Sequence, residues 1–257
     1  MFEQLVEAVL QAGRQMKQAA NIESHQKTGF RDIVTQYDVN IQNFLQAELR
    51  NIAPYAGFIG EESEQEARLT EACFICDPID GTSNFRFGLM RSACSLAYLE
   101  NGVTQIGITY DPYTDELFTA QRGKGAYCNG KPIKALQGTM ENGITIFGTN
   151  PYYANTVEDT FALAKLCYQN TMDLRRFGAA TLDLCYVAAG RAILFFEGSL
   201  APWDFAAGKL IAEECGLVCK DWQGKDIAPL SRSSIVCGNP VALEQWFALY
   251  KQVKKEQ

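Results

Sequence analysis

Histidine is the scarcest chemically useful residue: the 257-residue chain contains one, His25. A Ser-His or Cys-His nucleophilic pair needs a histidine in the active site, whereas His25 lies in a polar segment typical of a surface, so we predict no such pair. Zinc ligands are equally sparse, because the nine cysteines include one CxxC, Cys73 and Cys76, with no second pair at zinc spacing. We interpret these two cysteines as core residues of a buried strand.

Basic residues and long apolar runs are also in short supply. The 23 Lys and Arg residues face 30 Asp and Glu, a net charge of −7 that favours bound cations and predicts no direct nucleic-acid binding. An odd number of cysteines in mostly apolar segments predicts reduced thiols and a cytoplasmic location. No apolar run approaches the roughly 20 residues of a membrane span, and Glu3 and Glu7 interrupt the N-terminal one, so we predict neither membrane association nor a signal peptide.

The chain contains two regions with different patterns of apolar segments. After a helical pattern over 38–52, residues 72–134 form short apolar runs separated by Gly and Asn, which is typical of an antiparallel meander. Beyond 140, strand-like and helix-like segments alternate, which indicates α/β layering. We predict an α+β and α/β fold of alternating αβαβα layers in one compact unit. An N-terminal half over 1–140 carries an antiparallel sheet with helices and most metal ligands, and a smaller α/β half over 141–257 carries Asp204 and the substrate side.

The acids stand out at the ends of these segments. Asp77 and Asp80 follow the apolar run ACFIC in the stretch DPIDGTSNF, where an ordinary turn would also explain Asp80-Gly81. Glu61 follows the run GFIG and could belong to a solvated charge run, while Asp204 precedes a helical segment and could be its N-cap. Taken together, four carboxylates at segment ends can converge on one site.

Converging carboxylates favour a hard divalent cation. Mg²⁺ takes a few carboxylates, keeps several waters and completes its shell with phosphate oxygens. Two such ions about 3.5–4 Å apart can bind one phosphate and activate a water in line with the leaving oxygen. If Gly81-Thr82-Ser83 begins a helix, its free N–H groups offer a phosphate site beside the ions, with the Thr82 hydroxyl near the attacking water.

These residues resemble the signature motifs of the inositol monophosphatase family, in the family's order. The three main matches are Glu61-Glu62-Ser63, Asp77-Pro78-Ile79-Asp80-Gly81-Thr82-Ser83-Asn84-Phe85 and Trp203-Asp204-Phe205-Ala206-Ala207-Gly208. Weaker matches run nearly end to end: Thr35-Gln36-Tyr37-Asp38, Gly123-Lys124-Gly125-Ala126, Asn129-Gly130, Gly178-Ala179-Ala180 and Phe196-Glu197.

The resemblance implies a Mg²⁺-dependent, lithium-sensitive phosphomonoesterase, commonly a homodimer, that hydrolyses its substrate by direct attack of a metal-activated water. It assigns one ion to Glu61, Asp77 and the Ile79 carbonyl, a second to Asp77, Asp80 and Asp204, and a third, weaker one to Glu61; Mn²⁺ could replace Mg²⁺. It also gives Thr82 the role of activating water, with Asp38 accepting a hydrogen bond from Thr82. The competing reading of Thr35-x-x-Asp38 is a helix cap.

On the substrate side, the resemblance assigns phosphate or polyol contacts to Asp80, Gly81, Thr82, Gly178, Ala180 and Glu197, although Glu197 could also be a plain strand-end acid. Presence of Glu197 favours myo-inositol-1-phosphate. The segment 86–91 lacks the histidine and proline common in the family, which leaves fructose-1,6-bisphosphate, histidinol phosphate and adenosine 3′,5′-bisphosphate open. A third reading, from bacterial relatives, is a binding protein associated with transcription complexes.

Overall fold

The computed structural model describes residues 1–30, 32–63, 71–149 and 154–255. These residues form a seven-stranded sheet, a five-stranded sheet, a two-stranded hairpin and seven α-helices, with the two large sheets and the helices in alternating layers, so the predicted fold class is confirmed. The helices are α1 Phe2–Lys17, α2 Gln36–Ile52, α3 Thr82–Arg86, α4 Ala154–Gln169, α5 Ala180–Ala188, α6 Pro202–Glu213 and α7 Pro240–Lys255. The strands are β1 Ser24–Gly29, β2 Asp32–Thr35, β3 Gly57–Gly60, β4 Ala72–Asp80, β5 Ala93–Glu100, β6 Val103–Asp111, β7 Glu116–Gln121, β8 Ala126–Cys128, β9 Lys131–Pro132, β10 Ile144–Phe147, β11 Asp173–Arg175, β12 Leu194–Leu200, β13 Val218–Lys220 and β14 Ser233–Gly238.

The larger sheet has the order β3-β4-β5-β6-β7-β8-β9. From β4 to β9 each strand is antiparallel to the next, as the meander predicts, whereas β3 joins β4 in parallel. Every residue of β4 is buried, Cys73 and Cys76 included, because both faces of the strand are covered. The cysteines are therefore core residues, as interpreted, and the acids that follow them end a strand deep in the molecule.

The smaller sheet has the order β11-β10-β12-β14-β13. Strand β10 pairs in parallel with β11 and β12, as βαβ alternation predicts. Strand β14 instead runs antiparallel to both β12 and β13. The predicted α/β half is therefore a mixed sheet.

Side chains that alternate along the strands define the layers. In the larger sheet Phe74 packs toward α1 and α2, and Ile75 packs toward α6. In the smaller sheet Phe195 packs with α5 and α6, and Phe196 packs with α4 and α7. Helices α5 and α6 thus lie between the two sheets, which gives the αβαβα order and carries the start of each helix toward the end of β4.

The hairpin β1–β2 is the main element that the sequence did not predict. Its first strand, SHQKTG, is polar and shows no alternation, so neither period signals a strand. The first sheet ends at Pro132 and the second begins at Ile144, on either side of residue 140, and treating the halves as domains stays a prediction. None of the described helices combines the length and apolar character that a bilayer span requires.

Candidate active site

A cavity of about 470 Å³ opens where the end of β4 meets α6 and the second sheet. Its walls hold five acids, three basic side chains and much of the predicted phosphate segment. These residues are Asp32, Glu61, Asp80, Glu197, Asp204, Lys27, Arg176, Arg232, Gly81, Thr82, Gly178 and Ala180. Asp38, Asp77 and Ile79 are buried and are not among the lining residues. The structure therefore gathers the predicted residues in one region, some at the wall and some behind it.

A bulge at the end of β4 sets the positions of the two aspartates. The register with β5 shifts between Asp77 and Asp80, at Pro78, which cannot donate to the ladder. Asp77 Oδ1 accepts a hydrogen bond from the Ile79 N–H at 3.0 Å. The ordinary-turn reading is therefore incomplete, because the strand continues to Asp80 and the turn follows at Gly81.

Asp80 joins the two halves of the protein. Its carboxylate accepts hydrogen bonds from the Ala180 N–H at 3.1 Å, the Thr181 N–H at 2.7 Å and the Thr181 hydroxyl at 2.6 Å. Burial raises the pKa of Asp80 to about 6, while these three donors act against the rise. Its charged form is thus held in one orientation at the cavity wall.

Thr82 and Asp38 are in contact. The Thr82 hydroxyl lies 3.1 Å from Asp38 Oδ1 and 3.1 Å from the Ile79 carbonyl oxygen, both acceptors for its single proton. Asp38 also closes the capping box of α2, since its carboxylate accepts the Thr35 N–H at 2.8 Å. The cap and the contact with Thr82 therefore coexist, and burial raises the pKa of Asp38 to about 6.

Glu61 and Glu62 share one cation, Lys27, on the unpredicted hairpin. Lys27 Nζ lies 3.2 Å from Glu61 Oε1 and 2.5 Å from Glu62 Oε1. Burial acts to lower the pKa of Lys27, but the two carboxylates outweigh it and raise that pKa. Burial and the neighbouring Glu61 raise the pKa of Glu62 to about 7. A solvated charge run is therefore the wrong reading for this pair.

Two alternative readings of single acids are also wrong. Asp204 is not the N-cap of α6: the helix begins earlier, at Pro202, and Asp204 accepts the Ala201 N–H at 2.7 Å from the third helical position. Glu197 is not a strand-end acid, since it lies inside β12 where the register with β14 shifts. Gly148 makes room for it, because a Cβ there would stand 1.8 Å from Glu197 Oε2. Burial, then Asp204 and Asp80, raise the pKa of Glu197 to about 8.

The acids at this site repel one another. Burial, followed by Glu61, Asp80 and Asp204, raises the pKa of Asp77 well above its usual value, and burial with Glu61 and Asp80 does the same for Asp204. Crowded carboxylate oxygens that favour added positive charge fit a hard divalent cation. Within the described ranges, no three His, Cys, Asp or Glu side chains already stand as a compact metal-binding group. Main-chain N–H groups hold Asp77, Asp80 and Asp204, and Lys27 holds Glu61.

Several lining or supporting residues were not found from the sequence. Lys27 and Arg176 lie in polar segments without periodicity, and Thr181 lies 101 residues from the carboxylate to which it donates. Asn84, within the DGTSNF stretch, donates to the carbonyl oxygens of Phe177 and Gly178 at 2.7 and 3.3 Å. Only the residue types of that last stretch offered a local signal, because long-range partners leave none.

Comparison with known proteins places this geometry in a family. The model of the inositol monophosphatase family matches residues 1–255. The Nus factor SuhB of Escherichia coli K12 is 37% identical over 230 residues, covering 88% of this chain and 85% of the relative. The inositol-1-monophosphatase of Rhizobium meliloti is 36% identical over 247 residues, covering 91% and 90%.

A solved structure agrees across the whole chain. The extragenic suppressor protein suhB from Bartonella henselae superposes with a TM-score of 0.89 at 32% identity, covering 100% of this chain and 99% of that one. Sequence, fold and the arrangement of acids at the end of β4 lead to one assignment. This chain belongs to the inositol monophosphatase family.

Proposed function

We propose that this protein is a Mg²⁺-dependent phosphomonoesterase whose substrate is myo-inositol-1-phosphate. The observation that carries the proposal is the meeting of Glu61, Asp80, Asp204 and Glu197 with Thr82 around one cavity, in a chain of this family. The printed activity of the Rhizobium meliloti relative supports the choice of substrate.

The donor set supports the choice of metal. We assign one ion to Glu61, Asp77 and the Ile79 carbonyl, a second to Asp77, Asp80 and Asp204, and a third, weaker one to Glu61. All these donors are oxygens, which suits Mg²⁺ and also admits Mn²⁺. When bound, such ions would neutralise phosphate charge and lower the pKa of a nearby water.

The protein's own groups orient the reaction. Thr82, fixed between Asp38 and the Ile79 carbonyl, is proposed to align the attacking water through its hydroxyl oxygen. Gly81 and Thr82 line the cavity where the phosphate would rest. Glu197 and the main chain at Gly178 and Ala180 line the same cavity and would contact the polyol. A water nucleophile also agrees with the exposed position of His25, away from the cavity.

The test is phosphate release from inositol-1-phosphate, fructose-1,6-bisphosphate, histidinol phosphate and adenosine 3′,5′-bisphosphate. Each is assayed with Mg²⁺, with EDTA, and with Mg²⁺ plus Li⁺, beside an Asp80→Asn preparation that reports contaminating phosphatase. The proposal expects turnover that EDTA abolishes and Li⁺ inhibits, with kcat/KM for inositol-1-phosphate at least about tenfold above the others. Equal or greater turnover of another member of the panel would replace the substrate and keep the chemistry.

A second candidate function rests on the names of relatives. Proteins from Escherichia coli, Vibrio cholerae and Salmonella typhimurium that resemble this chain are called Nus factor SuhB. We propose association with a transcription complex as the alternative role of a cytoplasmic, homodimeric protein. It would be favoured if affinity-purified protein recovered transcription proteins and an Asp80→Asn strain grew normally.

A further inference from the structure

Asn84 is a neutral amide in the wall of a cavity whose other prominent groups are charged. It is the third residue of α3, lines the cavity and is 5% exposed. Its Nδ2 lies 2.7 Å from the Arg91 carbonyl oxygen, 2.7 Å from that of Phe177 and 3.3 Å from that of Gly178. Carbonyl oxygens only accept, so the two amide hydrogens serve three acceptors, one of them at longer range. The side chain therefore directs its whole donor capacity to the main chain of other segments.

These hydrogen bonds join the first half of the protein to the second. Phe177 and Gly178 lie 93 and 94 residues beyond Asn84 in the chain, just before α5. Asp80 makes another connection nearby, because it accepts the Ala180 N–H at 3.1 Å. Loss of the Asn84 bonds would leave Ala180 anchored and would allow the main chain immediately before it to move. Asn84 thus controls the position of a short segment that Asp80 alone does not fix.

The main chains that Asn84 joins are already in contact at Gly81, the residue before α3. A Cβ at Gly81 would stand 3.0 Å from the Arg91 carbonyl oxygen and 3.0 Å from the Gly178 carbonyl oxygen, two of the three acceptors of the amide. Gly81 also has a φ of +82°, which side chains rarely adopt. The start of α3 and the segment before α5 therefore lie against each other through bare main chain, and Asn84 holds them at that separation.

The two segments held by Asn84 have different tasks in the proposed reaction. Thr82, two residues before Asn84 in α3, is proposed to align the attacking water beside the phosphate. The main chain at Gly178 is proposed to contact the polyol. The separation that Asn84 controls is thus the separation between the phosphate side and the polyol side of one bound substrate. Because a misplacement of about 1 Å can lower a rate about 100-fold, this separation matters for any substrate that must touch both sides.

We propose that Asn84 is a positioning residue, which holds the main chain at Phe177 and Gly178 at the distance from α3 that lets one substrate reach both. It acts through that main chain and not on the substrate, since the main chain takes up its donors. The inference rests on the proposed phosphomonoesterase function and adds that the polyol side depends on this amide. A phosphate ester without a polyol uses the phosphate side alone, so its hydrolysis should depend little on Asn84.

The experiment compares inositol-1-phosphate with p-nitrophenyl phosphate, which carries no hydroxyl group. Asn84→Asp keeps the shape of the side chain and turns an acceptor toward three carbonyl oxygens, while Asn84→Ser is a milder change that keeps one donor. The control is Asn239→Asp, because Asn239 is 0% exposed, lies outside the cavity and donates to the Leu136 carbonyl oxygen at 3.3 Å. Each protein is assayed for kcat and KM with Mg²⁺.

Two further measurements accompany the kinetics. Calorimetry gives the Kd of inositol-1-phosphate and of inorganic phosphate with Ca²⁺, which is expected to bind without supporting turnover. Urea unfolding shows which variants are folded and how much stability each has lost. If Asn84→Asp does not fold, the result for Asn84→Ser decides.

The inference expects a selective loss. Asn84→Asp should lower kcat/KM for inositol-1-phosphate about 10- to 100-fold and leave that for p-nitrophenyl phosphate within about threefold. Asn84→Ser should lie between Asn84→Asp and the wild type. Asn239→Asp should lose stability, since it too loses a buried donor, yet keep the ratio of the two kcat/KM values within about twofold. The Kd of inositol-1-phosphate should weaken in the Asn84 variants more than that of inorganic phosphate.

Failure of the inference differs from failure of the proposed function. Folded Asn84 variants that lose activity equally on both substrates, or on neither, overturn the positioning role and leave the phosphatase intact. A wild-type protein that does not turn over inositol-1-phosphate contradicts the proposed function, and the Kd values with Ca²⁺ then decide the inference by themselves. Selective weakening of inositol-1-phosphate supports it, whereas equal changes in the two Kd values, or no binding by the wild type, overturn it.

Discussion

Asp80 and Asp183 are both buried carboxylic acids near the same cavity, 6% and 0% exposed, yet the fold treats them differently. Asp80 accepts three hydrogen bonds from Ala180 and Thr181. Asp183, one turn further along α5, has no hydrogen-bond partner for either oxygen among the described residues. Burial raises both pKa values, that of Asp80 to about 6 and that of Asp183 well above its usual range.

The contrast shows what distinguishes a buried carboxylate that can bind a cation from one that cannot. Donors that bind the charged form oppose the cost of burial, so Asp80 can be ionised near neutral pH, where a cation can use it. Asp183 lacks such donors, so burial and the neighbouring acids disfavour its charged form and raise its pKa. Burial and negative neighbours alone would have marked both residues as functional, and the hydrogen-bond partners distinguish them.

The largest expected effect comes from removing the charge of Asp80. In Asp80→Asn the amide nitrogen or oxygen must face N–H donors that now bind a carboxylate, and one proposed metal ligand is lost. We expect kcat to fall by about 10³-fold or more. Steady-state turnover with saturating Mg²⁺ measures this, and circular dichroism checks folding. A folded variant that keeps a tenth of wild-type activity would remove Asp80 from the proposed site.

Glu197 is an intermediate case, since it faces the cavity as Asp80 does but accepts no hydrogen bond from the described residues. Gly148→Ala tests its placement, because the added Cβ would lie 1.8 Å from Glu197 Oε2 and must displace the carboxyl. We expect kcat/KM to fall about 10²-fold. Gly29→Ala is the control, as a Cβ there meets nothing within 4 Å. Equal activity of the two variants would show that substrate binding does not need Glu197 in this position.

Stability should depend on pH in the direction that the raised pKa values set. The pKa of Glu197 is raised from 4.5 to about 8, so this residue contributes stability that is fully present below pH 4.5 and is lost as pH rises through 8. The pKa of Glu62 is raised from 4.5 to about 7, so its contribution is lost as pH rises through 7. In EDTA we therefore expect Tm to fall between pH 5 and pH 8. Saturating Mg²⁺ should raise Tm by about 5 °C at pH 8 and by less at pH 5. Differential scanning calorimetry measures both, and a Mg²⁺ effect that is larger at pH 5 would contradict carboxylate binding.

The strand that carries the acids could be predicted from the sequence. The partners that hold the acids in place could not, for a physical reason. The run ACFICDPID predicted a buried strand that ends in acids, because composition and turn residues are local signals. The donors that tune Asp80 come from Thr181, 101 residues away, and the cation at Glu61 comes from the polar hairpin residue Lys27. Only the folded chain brings such partners together, so the acids of the site could be predicted from residue types along the chain and their hydrogen-bond partners could not.

The smallest expected effect completes the comparison. Asp183→Asn keeps the shape of the side chain and replaces a buried acid that accepts no hydrogen bond from the described residues by a neutral amide, so we expect kcat/KM within about threefold of wild type. Wild-type Asp183 has a raised pKa, so its share of stability is lost as pH rises above about 4, and the variant should lose less stability over that range. Urea unfolding at pH 5 and pH 8 measures the difference, with activity assayed on the same preparations. If Asp183→Asn instead lost activity as Asp80→Asn does, while remaining folded, a buried acid without donors would have to act on the reaction, and the distinction drawn between the two carboxylates would fail.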